Sequence, residues 1–336
     1  MTIANKLDLL EQTKEALRAK LKLDKSIPFS KYPDYVNWNT APSVPNKAFY
    51  ADFINDRYVK DGVPCGFKDL FTFTRAGKAW LVKETGLQEY AADVPRFDNG
   101  LLIEQSATNF ILQSQNMSNS YWVKDTVTVT GNTVKQDTTN GLHKISSPSR
   151  SVPQYNHTRS QSLLVNPKTT QFIGFGADAS SSANGVFIVN TNNLSYLRSN
   201  ASGINYIDSS IKIKKIGDLL HISYTVQDTG TWDAIANSVA TIKFYKELSG
   251  AVASRQFIGD GVTNFEVIAV DAKVENQVSS MIPTTTTPVT RPDDFLLNKI
   301  TGTTVTGDWD STLNLSIVDG QLVHSGYGRI RSLEIN

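Results

Sequence analysis

The sequence predicts a mainly antiparallel β fold, a two-sheet sandwich or jelly roll preceded by a short N-terminal helix. Short apolar runs with polar alternates recur at Val123–Thr130, Ser162–Val165, Gln171–Phe175, Val186–Val189, Ile211–Ile213, Ile222–Val226, Ile242–Tyr245, Phe265–Val270 and Leu313–Val318. Turn-forming pairs lie among them, at Asn99-Gly100, Gly131-Asn132, Asn140-Gly141, Asn184-Gly185, Asp260-Gly261 and Asp319-Gly320. Such pairs accept the positive φ angles of tight hairpins. No repeat of fixed period points to a propeller or a β-helix, and the even spacing of the strands fits a sandwich.

Taken in order, Thr2–Leu23 reads as a helix, because Ile3, Leu7, Leu10, Leu17 and Leu21 form a heptad seam broken only by Lys14. At about 1.5 Å per residue it would be roughly 33 Å long. That suits either an amphipathic helix lying on its own domain or a trimeric bundle that docks the chain onto a larger assembly. Asp24–Asn46 then carries Pro28, Pro33, Pro42 and Pro45 among Tyr32, Tyr35 and Trp38. Proline breaks helices while the aromatics need something to lie against, so this stretch reads as a neck. Residues 1–46 are thus expected to serve attachment and oligomerisation. Lys47–Tyr58 suggests one more short helix, with Ala48, Phe49, Phe53 and Ile54 on one face and a stop at Asp61-Gly62 and Pro64.

From Phe67 to Val82 the pattern turns to strands, with Phe71, Phe73 and Arg75 alternating against Thr72 and Thr74. Ser279–Pro292, rich in threonine and proline, reads on its own as an extended linker. Ile300–Asn336 adds strands around Asp319-Gly320 that either extend the sandwich or form a small trimerising tip. The expected division is therefore a sandwich over 47–297 and a C-terminal extension over 298–336.

Two groups of motifs carry a resemblance. The first holds Arg75, Pro95-Arg96-Phe97-Asp98, Gly100-Leu101-Leu102-Ile103-Glu104 and Thr108-Asn109. The second holds Ala272-Lys273-Val274-Glu275, Ser280-Met281-Ile282-Pro283-Thr284 and Val289-Thr290-Arg291-Pro292-Asp293-Asp294. Together they resemble the opening and closing of a lectin-like domain found in bacteriophage structural proteins, over about Phe71–Leu297. The resemblance implies a concanavalin A-like jelly roll in a virion protein, usually a fibre or surface appendage. It also implies that the segment after Ser279 crosses back over the sandwich, and it implies no particular sugar.

Composition narrows the function classes. Thirty-three basic and thirty-two acidic residues leave a net charge of +1, so no global field draws the chain to nucleic acid or an anionic membrane. Cys65 is the only cysteine, which rules out an intrachain disulfide and a cysteine zinc cluster and fits folding in a reducing cytoplasm. Met1–Leu10 lacks the basic start and apolar run of a secretory signal. No stretch approaches the roughly 20 apolar residues that cross a bilayer as a helix. A protein assembled into a phage particle inside the cell needs neither. His143, His157, His221 and His324 lie far apart, and nucleophile elbow, Walker loop and dinucleotide fingerprint are all missing, so no metal or cofactor is expected. His221 reads as a core or sheet residue, and the resemblance implies that Trp122 is core.

Glycoside hydrolysis needs two carboxylates about 5 to 9.5 Å apart across the scissile bond. The nearest candidate is Asp308-Trp309-Asp310, which also fits a simple turn, so a depolymerase is disfavoured. Sugar binding without turnover asks only for an exposed ring beside polar groups. Candidates are Trp232 with Asp233 and Asn237 in the polar stretch Gln227–Ser238, Tyr196 with Arg198 and Asn200, and Tyr155 with His157 and Arg159. For each, plain surface or core packing is the alternative. The expectation is a non-enzymatic, homotrimeric phage fibre or appendage that contacts host surface polysaccharide and meets other virion proteins through its N-terminus. A decoration, collar or baseplate protein is the alternative.

Overall fold

The computed structural model describes residues 49–61, 63–148, 158–177, 186–199, 204–228, 240–249, 254, 256–299 and 302–336. The expected N-terminal helix with Ile3, Leu7, Leu10, Leu17 and Leu21, and the neck after it, lie outside the described residues. So does the Asn184-Gly185 pair. The rest is mainly antiparallel strand. The described residues form two compact units, one drawn from 49–73, 97–103 and 295–336, the other from 74–96 and 104–294.

The second unit contains two large sheets. One runs in the order Val127–Thr130, Thr133–Gln136, Asn264–Val274, Thr158–Asn166, Leu219–Asp228, Ile204–Ile216. The other runs Val123–Asp125, Lys144–Ser146, Ala240–Phe244, Phe172–Ala177, Val186–Asn190, Tyr196–Ser199. Alternate residues such as Leu163, Val165, Ile173, Phe175, Phe187, Phe244 and Phe265 fill one core, which is the arrangement of a β-sandwich. Trp122 belongs to that core, and its indole N–H donates to the Gln113 carbonyl at 3.0 Å.

The strand Thr158–Asn166 is buried on both faces. Its far side packs Leu164 against Leu219, Ala269 and Met281, with Val82 and Leu87 of the hairpin Ala79–Lys83/Gly86–Tyr90 beside them. That second layer explains why the strand reads as a continuous run rather than a clean alternation. Ser279–Pro292, linker-like in isolation, is ordered across this unit. Met281 and Ile282 are buried, Thr284 N–H donates to Ser114 Oγ at 2.8 Å, and Val289–Arg291 pairs with Ala107–Asn109.

In the first unit, Lys47–Tyr58 is not helical where described. Phe49–Asp52 and Arg57–Lys60 form a hairpin instead. Phe49 and Phe53 suit either period, but Asp52 decides the matter: its carboxylate accepts from Ile54 N–H at 3.1 Å and Asn55 N–H at 3.0 Å, and Asp56 takes a φ of 55°. Phe67–Leu70, expected as strand, is a helical turn because the Asp69 carboxylate accepts the Gly66 N–H at 2.7 Å. Gly328–Ile335 pairs with Phe49–Asp52, Val305–Trp309 and Leu101–Ile103. Val305–Trp309 and Gly328–Ile335 therefore share a sheet with the start of the described chain, while Leu313–Val318 and Gln321–Gly326 form a separate hairpin. The division at 297/298 differs from this arrangement because long-range strand pairing leaves no mark on local pattern.

Several turn pairs behave as expected. Asp319-Gly320, with φ of 50° and 77°, joins Leu313–Val318 to Gln321–Gly326, and Gly131 joins Val127–Thr130 to Thr133–Gln136. Asn140-Gly141 is instead a short strand paired with Phe257–Ile258. Its glycine is needed for room, since a Cβ there would meet Thr126 Cγ2 at 2.5 Å.

Candidate functional site

The register of the sandwich brings three distant stretches to one end. In one sheet Thr158 pairs with Gln227, and Asn205 also pairs with Gln227. In the other, Ala177 pairs with Ala240 and Val186 with Ser199. Only residues 200–203 separate the edge strands Tyr196–Ser199 and Ile204–Ile216, and an Arg198–Asp208 ion pair joins those strands. Of the candidate stretches, Tyr196, Arg198, Arg159 and Gln227 fall on these strands. Tyr196, Arg198 and Arg159 are described; Asn200, Trp232, Asp233, Asn237, Tyr155 and His157 lie outside the described residues.

Tyr196 is 44% exposed and stacks on Phe187, with ring centroids 5.5 Å apart and planes 22° from parallel. Behind it the rings continue inward. Phe187 meets Tyr206 at 5.7 Å and Tyr224 at 4.7 Å, and Tyr206 meets Tyr224 at 5.1 Å. The Tyr224 hydroxyl reaches Gln161 Oε1 at 2.7 Å, while Gln161 Nε2 is buried without a hydrogen-bond partner. Burial raises the Tyr206 and Tyr224 hydroxyls well above the usual tyrosine value, so both stay neutral. Arg159 faces inward as a buried residue rather than outward as a ligand contact. An exposed ring backed by an aromatic stack, with a salt-bridged arginine two residues on, is chemistry that can hold the apolar face and hydroxyls of a sugar.

The two motif groups come together elsewhere in the same unit, as a buried ion network. Arg75 meets Asp294 at 3.1 Å, Arg96 meets Asp294 at 2.6 Å and Glu104 at 2.8 Å, and Arg291 meets Glu104 at 3.5 Å. Lys273 meets Asp271 at 3.1 Å and Glu275 at 3.3 Å, and donates to Ser279 O and Ser280 O, each at 3.0 Å. Ser280 also bonds both Arg96 and Glu104. Four cations thus face four carboxylates with no charge left over. Burial works to raise Glu104, but Arg291, Arg96 and Ser280 overcome it and hold the carboxyl well below the usual range. Burial lifts Asp271 to about 6, Lys273 opposing and Glu275 assisting. Asp271 and Lys273 were legible as charges continuing the apolar run Phe265–Val270, a signal that marks a buried pair.

The remaining acidic candidates are ion-paired. Asp308 accepts from Arg331 at 3.1 Å, and Asp310 accepts from Arg331 and, at 2.9 Å, from the Arg329 N–H, so both carboxylates are engaged by a cation. His143 is held between the Thr126 and Phe257 carbonyls at 2.6 and 2.9 Å. Among the described residues no three His, Cys, Asp or Glu side chains form a metal cluster, and no helix is long and apolar enough to cross a membrane. In comparisons with known proteins, no family model matches the chain and no curated protein matches it.

Proposed function

We propose that this protein is a phage virion component, a fibre or appendage whose lectin-like, concanavalin A-type jelly roll binds host surface polysaccharide without cleaving it. The supporting observation is the exposed Tyr196 ring, stacked on Phe187 on the strand that leads past Arg198 to the end of the sandwich where Thr158 and Gln227 pair. Trp232, Asp233 and Asn237 complete the proposed contact surface, with Tyr196, Arg198 and Asn200 beside it. Residues 1–46 attach the chain to other virion proteins and assemble it as a homotrimer. Linked weak sites then raise avidity by about 10²- to 10⁴-fold without new contacts. Binding of the full chain to host cells and to their extracted polysaccharide tests the reading. Saturable binding that falls when Trp232 or Tyr196 becomes Ala supports it, and the absence of saturable binding overturns it. Light scattering tests the trimer, which a monomer mass would remove.

A second reading, a decoration, collar or baseplate scaffold binding other virion subunits, draws on one observation. The residues that carry the resemblance are buried in ion pairs rather than displayed.

A further inference from the structure

The opposite end of the sandwich carries a pocket of about 310 Å³ that none of the sequence candidates touches. Three turns line this half-open pocket: Pro167–Thr169 after the strand Thr158–Asn166, Thr191–Ser195 between Val186–Asn190 and Tyr196–Ser199, and Gly217-Asp218 between Ile204–Ile216 and Leu219–Asp228.

Its walls are fixed in advance by hydrogen bonds within these turns. Asn166 Oδ1 accepts from Lys168 N–H at 3.1 Å, Thr170 N–H donates to Pro167 O at 2.8 Å, and Thr191 Oγ1 donates to Thr170 O at 2.8 Å. Asn190 Oδ1 accepts from Asn192 N–H at 3.0 Å, and Gly217 takes a φ of 59° that the tight hairpin requires. Leu219 and Leu220 are buried beneath it. The groups pointing at the space, by contrast, are uncommitted. Lys168 is neutralised by Glu266 at 3.0 Å, but Lys215, Asp218 and the Asn192 amide have no side-chain partner among the described residues.

We infer that this pocket binds a carboxylate-bearing monosaccharide unit, with Lys215 taking the carboxylate and Asp218, Asn192 and Asn166 taking the hydroxyls. Its volume matches the lower range of small-molecule sites. Lys215 is the one cation lining the pocket without an ion-pair partner among the described residues, so it can pair with a single carboxylate, and the Asp218 charge disfavours a further negative charge such as that of a dianionic phosphate. Rigid turns lower the ordering cost of binding. The site is independent of the host-attachment reading, since it shares no residue with the Trp232 and Tyr196 surface.

Titration of the full chain with D-glucuronate, methyl glucoside and acetate, followed by saturation-transfer NMR, tests it. Glucuronate is expected to bind saturably, about tenfold more tightly than either control, and Lys215→Gln is expected to weaken it about tenfold. Trp232→Ala is expected to leave it unchanged, which separates this pocket from the other end of the sandwich. The assignment is overturned if glucuronate does not saturate, if acetate or methyl glucoside matches it, or if binding ignores Lys215→Gln and follows Trp232→Ala. Because Lys215 is exposed, its replacement leaves the fold intact.

Discussion

In the unit of residues 49–73, 97–103 and 295–336 the core is apolar, with a cluster of rings packed beside aliphatic side chains such as Leu101, Ile103, Leu296 and Ile330. Phe49 meets Phe71 at 5.2 Å, Phe53 meets Phe71 at 5.5 Å, and Phe67 meets Phe71 at 5.4 Å and Phe97 at 5.9 Å. The sandwich has an apolar core too, but it adds charge: Arg75, Arg96, Arg291 and Lys273 against Glu104, Asp294, Asp271 and Glu275. Arg75, Arg96, Glu104 and Asp294 each sit within two residues of a point where the chain enters or leaves this unit. The network therefore gathers the four ends of the two inserted segments. A ring core loses stability in proportion to the volume removed, and its neighbours can lean into the gap. A buried ion network fails unevenly, because each carboxylate removed leaves a cation buried without its partner.

The largest expected effect follows from that difference. Asp294 serves Arg75, Arg96 and the Glu104 N–H, so Asp294→Ala should cost about 5 kcal/mol, the upper end for a broken buried pair. Denaturant titration would measure the loss, and hydrogen exchange should place it in peptides from 74–96 and 104–294. A cost below about 1 kcal/mol would mean that water or Glu104 replaces the lost carboxylate, and the network would not be the fastening. Phe71→Ala should cost less, about 3 kcal/mol, because Phe49, Phe53 and Phe67 surround the space and can partly close it. Its lost protection should fall in peptides from 49–73 and 295–336. If either change spread evenly over both sets of peptides, the two cores could not be treated as separate cases.

How much of this was legible in the sequence follows from the range of the interactions. The strands of the sandwich were visible because alternation and turn pairs are local signals, as at Leu313–Val318 and Asp319-Gly320. Trp122, which is buried, was expected as core from the resemblance and not from its local pattern. The hairpin Phe49–Lys60 was not, because Phe49 and Phe53 fit a helical face as well as a strand, and the Asp52 carboxylate that settles the turn acts through geometry. Nor could the pairing of Phe49–Asp52 with Gly328–Ile335 be read, being a contact across nearly the whole chain. Of the candidate residues, Tyr196, Arg198 and Arg159 were legible as types, but the inward burial of Arg159 and the Arg198–Asp208 ion pair required the register. The Lys215 pocket gave no sequence signal, since its groups come from three turns that look like ordinary polar loops.

His221 offers a smaller effect with a sign. Burial, then Lys273, Lys214 and Lys212, lower its ring from 6.5 to about 4, and its Nε2 is enclosed without a partner. The unfolded ring takes up a proton near 6.5 while the folded ring resists, so this contribution is complete above 6.5 and is lost as pH falls towards 4. By pH 5 the loss amounts to roughly 2 kcal/mol. Asp271 acts with the opposite sign: its folded carboxyl, lifted to about 6, gains a proton before the unfolded one does, which adds stability as pH falls below 6. The test is therefore the difference between wild type and His221→Gln. The variant should lose about 2 kcal/mol less than wild type between pH 7 and pH 5, and parallel curves would show that the ring is not held neutral by its surroundings.

The smallest effect gives the sharpest contrast, because Arg331 repeats the chemistry of Arg96 at the surface. Arg96 is fully buried between Glu104 and Asp294, whereas Arg331 is 27% exposed between Asp308 and Asp310. Water already solvates Asp308 and Asp310 in part, so removing the guanidinium strands no buried charge. Arg331→Ala should cost only about 0.2 to 1 kcal/mol. The cost should shrink further in 1 M salt, where the screening length is about 3 Å, while that of Asp294→Ala should persist. Equal costs for the two would mean that pairing itself, rather than burial, sets the energy, and the distinction between the charged fastening and the ring core would rest on geometry alone.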